Sequence, residues 1–282
     1  MKQKPILSIV IMAILVSPLW AQVESDFQVV QNRDNTLTIT GYTGSARDVV
    51  IPGTLYGLRV TAIGYQAFHR KNLTSVVIPN TVRTIGSMAF TYNHNITEIS
   101  IPDSVIEIGD GAFAGDFHQR GRLNRVHIGR GIQNIATNAF RYNSITELNL
   151  PTSIRTIGER AFSGNRITSL SIPNGVTLIE GLAFENNPLE TLVIPSSLAG
   201  TFRETTGIMG RRVVMVTGIY SSAFSNTRLT RITFPANFRN HGSDETNPYL
   251  VSGFEESLIN FYINQNRAAG TYVKRGPIWT RE

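Results

Sequence analysis

Ile157-Gly158-Glu159-Arg160-Ala161-Phe162 is one copy of the phrase on which the whole chain turns: an aliphatic residue, usually Gly, two variable residues, then Ala-Phe. It recurs as Ile63-Gly64…Ala67-Phe68, Ile85-Gly86…Ala89-Phe90, Ile108-Gly109…Ala112-Phe113, Ile135-Ala136…Ala139-Phe140, Ile179-Glu180…Ala183-Phe184 and Ile219-Tyr220…Ala223-Phe224, with a looser copy ending in Gly253-Phe254. By difference of residue numbers, successive Phe stand 22, 23, 27, 22, 22, 40 and 30 residues apart. A base period near 22 with three insertions is the signature of a solenoid.

Working outward from the phrase, each copy is preceded by a short alternating run, such as Leu73…Val76-Val77-Ile78-Pro79 or Ile167…Leu170-Ser171-Ile172-Pro173. Alternation puts the aliphatics inward, and the Pro, which has no N–H to give to a ladder, ends the strand. The expectation is one short parallel strand per coil. Ala before Phe in all seven full copies implies a buried position with room for one methyl, and the Phe column is expected to stack as a spine. Replacement of the Gly by Ala136, Glu180 and Tyr220 says that this site does not need positive φ. Asn93, Asn143, Asn165 and Asn187, each three places after Phe, are expected to hydrogen-bond the backbone of the next coil.

Read as a whole, the pattern L-x-x-L-x-I-P-x-x-V-x-x-I-G-x-x-A-F-x-x-N resembles the BspA-type leucine-rich repeats first associated with treponemal and oral bacterial surface proteins. The match covers roughly residues 48–263. The closing stretch Phe261-Tyr262…Ala269-Gly270-Thr271-Tyr272…Trp279 also looks like the end of treponemal members. The resemblance implies a β-rich solenoid, a leucine-rich repeat array with parallel strands and short helical or 3-10 turns. It also implies an exported or surface-exposed binding protein, in some relatives an adhesin for host matrix proteins.

The ends fit this organisation. Residues 1–21 carry Lys2 and Lys4, an apolar run from Ile6 to Val16, then Pro18 and Ala21. That run is too short to span a bilayer and reads as a signal peptide cleaved after Ala21, leaving no transmembrane span in the mature chain. Residues 22–47 read as an N-terminal hairpin cap: Phe27–Val30 and Thr36–Thr40 flank the turn-forming Asn32-Arg33-Asp34-Asn35. The solenoid then fills 48–263, with insertions near 117–122, 199–218 and 240–253, and 264–282 form a C-terminal cap. Localisation is expected to be extracellular or on the outer surface, with the periplasm as the alternative.

Composition narrows the chemistry. With 26 Lys and Arg against 20 Asp and Glu, the net charge of +6 is mild, and no basic tract suggests nucleic acid. The chain has no Cys, which excludes disulfides, thiolate catalysis, Cys-ligated zinc and a lipidated N-terminal Cys. No H-E-x-x-H, G-x-S-x-G, Walker or dinucleotide fingerprint occurs. Asp103, Glu107, Asp110 and Asp116 read as solvated turn residues, so no enzyme, metal or cofactor is expected.

Between Asp116 and Glu147 there is no acid, while Arg120, Arg122, Arg125, Arg130 and Arg141 fall in the interval, a cluster that points toward a sulfated glycan or an acidic protein until the repeats are aligned. Repeat alignment sets Arg125 beside Glu98 and Glu147, and Arg130 beside Asp103, as cross-strand ion pairs. Arg120 and Arg122, in the insertion, are left unpaired by the same alignment. Outward strand positions are mainly small and polar, whereas aromatic and Arg anchors, which dominate interface energetics, sit in insertions: Phe117, Arg120 and Arg122 in one, Phe202, Arg203, Arg211 and Arg212 in another. Those seven are the candidate ligand-binding residues, for a protein or glycan partner such as host extracellular matrix. The segment Arg212-Val213-Val214-Met215-Val216 also reads as an extra strand covering the core. The competing function is that of a structural cell-envelope protein without a host ligand.

Overall fold

The computed structural model describes residues 23–198, 202–206, 212–216, 218–219, 222–235 and 268–282, with backbone alone for 202–206 and 212–216. The expected signal peptide, the expected insertion at 240–253, the looser repeat ending at Phe254 and the Phe261-Tyr262 pair lie outside the described residues.

The Ala-Phe phrase builds the centre of a parallel β-solenoid. Phe68, Phe90, Phe113, Phe140, Phe162, Phe184 and Phe224 are all buried. They stack face to face with centroids 5.1 Å apart at the first step and 5.5 Å at the widest, planes within 10° of parallel. The Ala beside each Phe is 0–1% exposed in every coil, so the single methyl is set by contact with the neighbouring coils. Insertions do not disturb this spine. Phe113 and Phe140, and likewise Phe184 and Phe224, are 5.4 Å apart although longer chain segments separate them.

Most coils contribute two strands rather than the single one expected. The first is the alternating run: Asp48–Val50 pairs in parallel with Ser75–Val77, Glu98–Ser100 with Arg125–His127, and Ser169–Ser171 with Thr191–Val193 and then Arg231–Phe234. This ladder is not continuous. It breaks between Ser75–Val77 and Glu98–Ser100, and between Arg125–His127 and Ser169–Ser171 it thins to one bridge, Arg125 to Glu147, though Leu148 stays buried in line. The second strand is a two-residue segment ending in the Ile of the phrase. Thr84–Ile85 pairs with Leu58–Ile63 and Glu107–Ile108, and Asn134–Ile135, Thr156–Ile157, Leu178–Ile179 and Gly218–Ile219 follow one another in parallel. Two residues are too few to show alternation, which is why periodicity alone does not reveal this ladder.

Between the two strands the Pro carbonyl closes a turn, accepting the N–H of the aliphatic three residues on, as in Pro79 to Val82, Pro102 to Val105 and Pro173 to Val176. After the second strand, Gly86 and Gly109 have ordinary φ, as the Ala and Glu substitutions required. Their advantage is proximity. A Cβ on Gly86 would lie 2.8 Å from the carbonyl carbon of Gly64. Positive φ falls elsewhere, on the residue before Ala (Gln66, Met88, Asn138, Arg160, Leu182) and two residues after Phe (Arg70, Tyr92, Tyr142, Asn186, Asn226). The return is therefore a pair of left-handed corners, and the only 3-10 segments among the described residues are Glu24–Asp26 and Ser196–Leu198.

Phe27–Gln31 and Leu37–Tyr42 form an antiparallel hairpin whose second strand runs parallel to Leu58–Ile63. Its Tyr42 stacks on Phe68 at 5.5 Å. At the far end Gly270–Arg275 and Ile278–Arg281 form a hairpin antiparallel to Arg231–Phe234, burying Tyr272 and Trp279. In the long insertion, Phe202–Thr206 and Arg212–Val216 pair with each other as an antiparallel hairpin. Among the described residues neither joins a coil's sheet, so the strand expected at 212–216 exists, but as half of a separate ribbon.

Candidate functional site

The alternating strands present one exposed face, and its polar groups are largely engaged with one another. Asp48 accepts the hydroxyls of Ser75 and Thr74, each at 2.7 Å. Those bonds, Ser75 first, hold its carboxyl below the usual range. Thr191 donates to Ser169 at 2.7 Å. Arg125 pairs with Glu98 at 2.8 Å, both side chains well exposed at 74% and 65%. The expected second pairing, to Glu147, is a backbone bridge only, and Asp103 meets Arg130 through the backbone N–H rather than the guanidinium. The register sets Cα atoms side by side, but exposed side chains choose between neighbours and water. Exposed pairs of this kind contribute under about 1 kcal/mol. Arg125→Ala should therefore shift the melting temperature by little and leave partner capture intact; a loss of capture would make this face the contact surface.

The other candidate face is the turn edge that follows each Phe. Backbone hydrogen bonds stack its corners in register: Arg70 N–H to Thr91 O, Tyr92 to Ala114, Gly115 to Arg141, Tyr142 to Ser163, Gly164 to Glu185 and Asn186 to Ser225. Beneath the corners run the buried Asn side chains. Asn93, Asn165 and Asn187 each donate to two Phe carbonyls, one in their own coil and one in the coil before. Their Oδ1 atoms accept the N–H of Leu73, Ile145 and Ile167. Asn143 makes the carbonyl contacts to Phe113 and Phe140. The Asn thus reaches back to the preceding coil, not forward to the next.

In the third coil the equivalent position is Asp116, and the chain leaves the repeat there. Asp116 folds the insertion into a turn by accepting the N–H of His118 at 2.7 Å and of Gln119 at 3.3 Å. Phe117, 66% exposed, sets its ring edge-on to Tyr142 at 5.4 Å and to His118 at 5.3 Å. Arg120 then reaches past the fourth coil to donate to the carbonyl of Gly164 at 2.9 Å. This corrects the expectation that it is unpaired: a longer loop can bond a backbone that the repeat alignment does not place beside it. Arg122 is fixed by its backbone N–H to His94 O and leaves its side chain exposed. The loop is therefore a strap over the fourth coil.

Two further pairs extend the cluster. The guanidinium of Arg141 lies over the Tyr142 ring at 4.2 Å and donates to its hydroxyl at 2.6 Å. Arg70 lies over Tyr92 at 4.7 Å, with His69 edge-on to the same ring. The structure thus gathers Phe117, Arg120 and Arg122 with Arg141, already counted among the Arg of the acid-free interval, and with Tyr92, Tyr142 and Arg70, which sequence reasoning did not single out. The signal was available: the column two after Phe contains Gly164, Asn186 and Asn226, residues that tolerate left-handed φ, and a Tyr there stands on an outward corner. Phe202, Arg203 and Arg212 lie on the separate hairpin, whose side chains, like Arg211, are outside the described residues.

Among the described residues no group of three His, Asp or Glu is arranged to hold a metal ion, and no helix is long and apolar enough to cross a membrane. A small cavity lies between Phe90, Phe113, Leu123 and Asn143, where the third coil lacks its Asn.

The model of the BspA type leucine rich repeat region matches residues 61–116, 114–205 and 211–245, in 6 copies. Among solved structures, a leucine rich cell surface protein from Faecalibacterium prausnitzii is 30% identical, over 63% of this chain and 55% of that one, with a TM-score of 0.46. The leucine rich repeat protein of T. pallidum is 24% identical over 63% of this chain and 72% of its own, at 0.41. The pneumococcal vaccine antigen PcpA is 15% identical over 76% and 69%, also at 0.41. The matched region thus spans little more than half of the F. prausnitzii protein. None of the curated proteins matches the chain. With the repeat model covering most of the coils and the Phe, Ala and Asn columns in place, the chain belongs to the BspA-type leucine-rich repeat family.

Proposed function

We propose that the protein is an exported, surface-exposed binding protein. Its partner, a protein or glycan such as host extracellular matrix, docks on the turn edge at the 116–122 strap, with the 202–216 hairpin as a second contact through Phe202, Arg203, Arg211 and Arg212. Family membership supports a protein-interaction role. The observation that carries the reading is the strap itself, where Phe117 stands 66% exposed beside Tyr142, Arg120, Arg122 and Arg141. Aromatic and Arg side chains held by a stacked backbone offer contact area at low ordering cost. The polar groups of the strand face, by contrast, are mostly taken up with each other.

The test presents immobilised full-length chain with purified extracellular matrix proteins, beside the double variant Phe117→Ala, Arg122→Ala. Capture should be weakened at least about tenfold by the variant, the scale of a lost hot spot. Equal capture by both chains would remove the strap from the contact. No capture by either would favour the structural envelope reading.

A further inference from the structure

The turn edge is also segregated in charge. Along its first five coils it comprises residues 69–71, 91–95, 114–122, 141–144 and 163–166. These contain Arg70, Lys71, Arg120, Arg122, Arg141 and Arg166 against one carboxylate, Asp116. Asp116 is already committed to the N–H groups of its own turn. The ion pairs among the described residues, Arg125 with Glu98, Arg160 with Glu159 and Arg231 with Glu282, lie off this stretch. The other acids of the same coils sit on other columns, Glu98 and Glu147 on the strand face, Asp110 and Glu159 after the Ile-Gly step. The basic stretch ends at the sixth coil, where the Glu185 carboxylate meets the Ser163 hydroxyl. Desolvation of His69, and after it the charges of the adjacent Arg70 and Lys71, hold its pKa below the ordinary value.

We infer that this edge binds a linear sulfated polysaccharide laid parallel to the solenoid axis. The inference rests on the proposed binding role of the edge and narrows its partner's chemistry. The cations lie on the first, third, fourth and fifth coils of a stack that advances by 5.1 to 5.5 Å per coil, judged by the Phe rings, with the second coil carrying none. A row of that kind is matched by a chain carrying anions at regular intervals. Guanidinium forks suit the tetrahedral oxygens of sulfate, which they engage with paired hydrogen bonds. Phe117 stands out among these cations and offers a single apolar contact to a sugar ring. A single-stranded nucleic acid is a poorer match because it needs open aromatic faces for its bases. Here Arg70 and Arg141 already cover faces of Tyr92 and Tyr142.

The test loads the full chain on immobilised heparin and, separately, on a plain sulfonate exchanger, and elutes both with salt. Affinities in solution are then measured for size-defined heparin oligosaccharides, desulfated heparin and single-stranded poly-dT. Heparin should hold the protein to higher salt than the sulfonate resin, and both desulfated heparin and poly-dT should bind at least about tenfold more weakly. Arg120→Glu with Arg122→Glu should abolish the excess retention. Arg59→Glu with Arg83→Glu, the same charge change at exposed positions off the edge, should leave most of it, with circular dichroism confirming that both variants fold. Elution at equal salt from the two resins, comparable binding of poly-dT or desulfated heparin, or an equal loss in the two double variants would overturn the inference. A chain that ignores heparin yet captures matrix proteins through Phe117 keeps the binding role and loses only the sulfated partner. A chain that does neither loses both.

Discussion

Phe162→Ala is expected to destabilise the protein by about 3 to 5 kcal/mol, the usual cost of emptying a core aromatic site that cannot collapse. Phe162 is 0% exposed and is sandwiched between Phe140 at 5.4 Å and Phe184 at 5.5 Å. Both neighbours are tied to the coil register by backbone bonds, the Phe140 N–H to Ala161 O and the Phe184 N–H to Ala223 O. Relaxation into the hole would therefore have to break the ladder. Ala161→Leu should destabilise from the opposite direction, by overpacking a site with no spare volume. Thermal or denaturant unfolding of each variant reads the effect. A melting temperature unchanged by either would be incompatible with the stacked register.

The second large effect is expected at Asn165, 1% exposed. Asn165→Ala removes two donated bonds, to Phe140 O and Phe162 O, and strands the Ile145 N–H. The carbonyls keep one donor each, from Asn143 and Asn187, so a loss of about 2 to 4 kcal/mol is anticipated, mostly the unmet N–H. Asn165→Asp should be worse than Ala at neutral pH, because a carboxylate has no proton to give those carbonyls and burial opposes its charge. In the folded variant the carboxyl pKa would be raised above its unfolded value. Its stabilising, protonated form is then fully present below the unfolded pKa and is lost as pH rises through the folded one. The gap between this variant and the parent protein should accordingly narrow on acidification. A gap that is constant with pH would mean that the side chain is not buried among carbonyls.

The parts of this fold that were legible in advance are those written in every copy. Ala161 and Phe162 recur because every coil meets the same neighbours, and a single sequence then acts as its own alignment. The second parallel ladder was not legible, since Thr156–Ile157 and its equivalents are too short to carry a period. The site was half legible. Phe117, Arg120 and Arg122 stood out as a break in the repeat, but the partners they acquire, Tyr142 and the carbonyl of Gly164, come from coils that only three dimensions bring together. Arg130 shows the converse error: its column predicted a charge pair, and the carboxylate of Asp103 was nearer to a backbone N–H.

The backward reach of the Asn side chains gives the solenoid a direction in time as well as in space. Domains are synthesised from the N-terminus, so a nascent coil emerges with its Phe carbonyl met only by the Asn of its own coil and the N–H of Ile145 or Ile167 still open to water. Asn165 seals the coil of Phe140, and Asn187 seals that of Phe162, only once roughly one more period of chain has appeared. Where the successor carries the Asn, the coil before it is thus locked only after it has been made, and assembly there advances as a vectorial process with its growing end one coil short of completion.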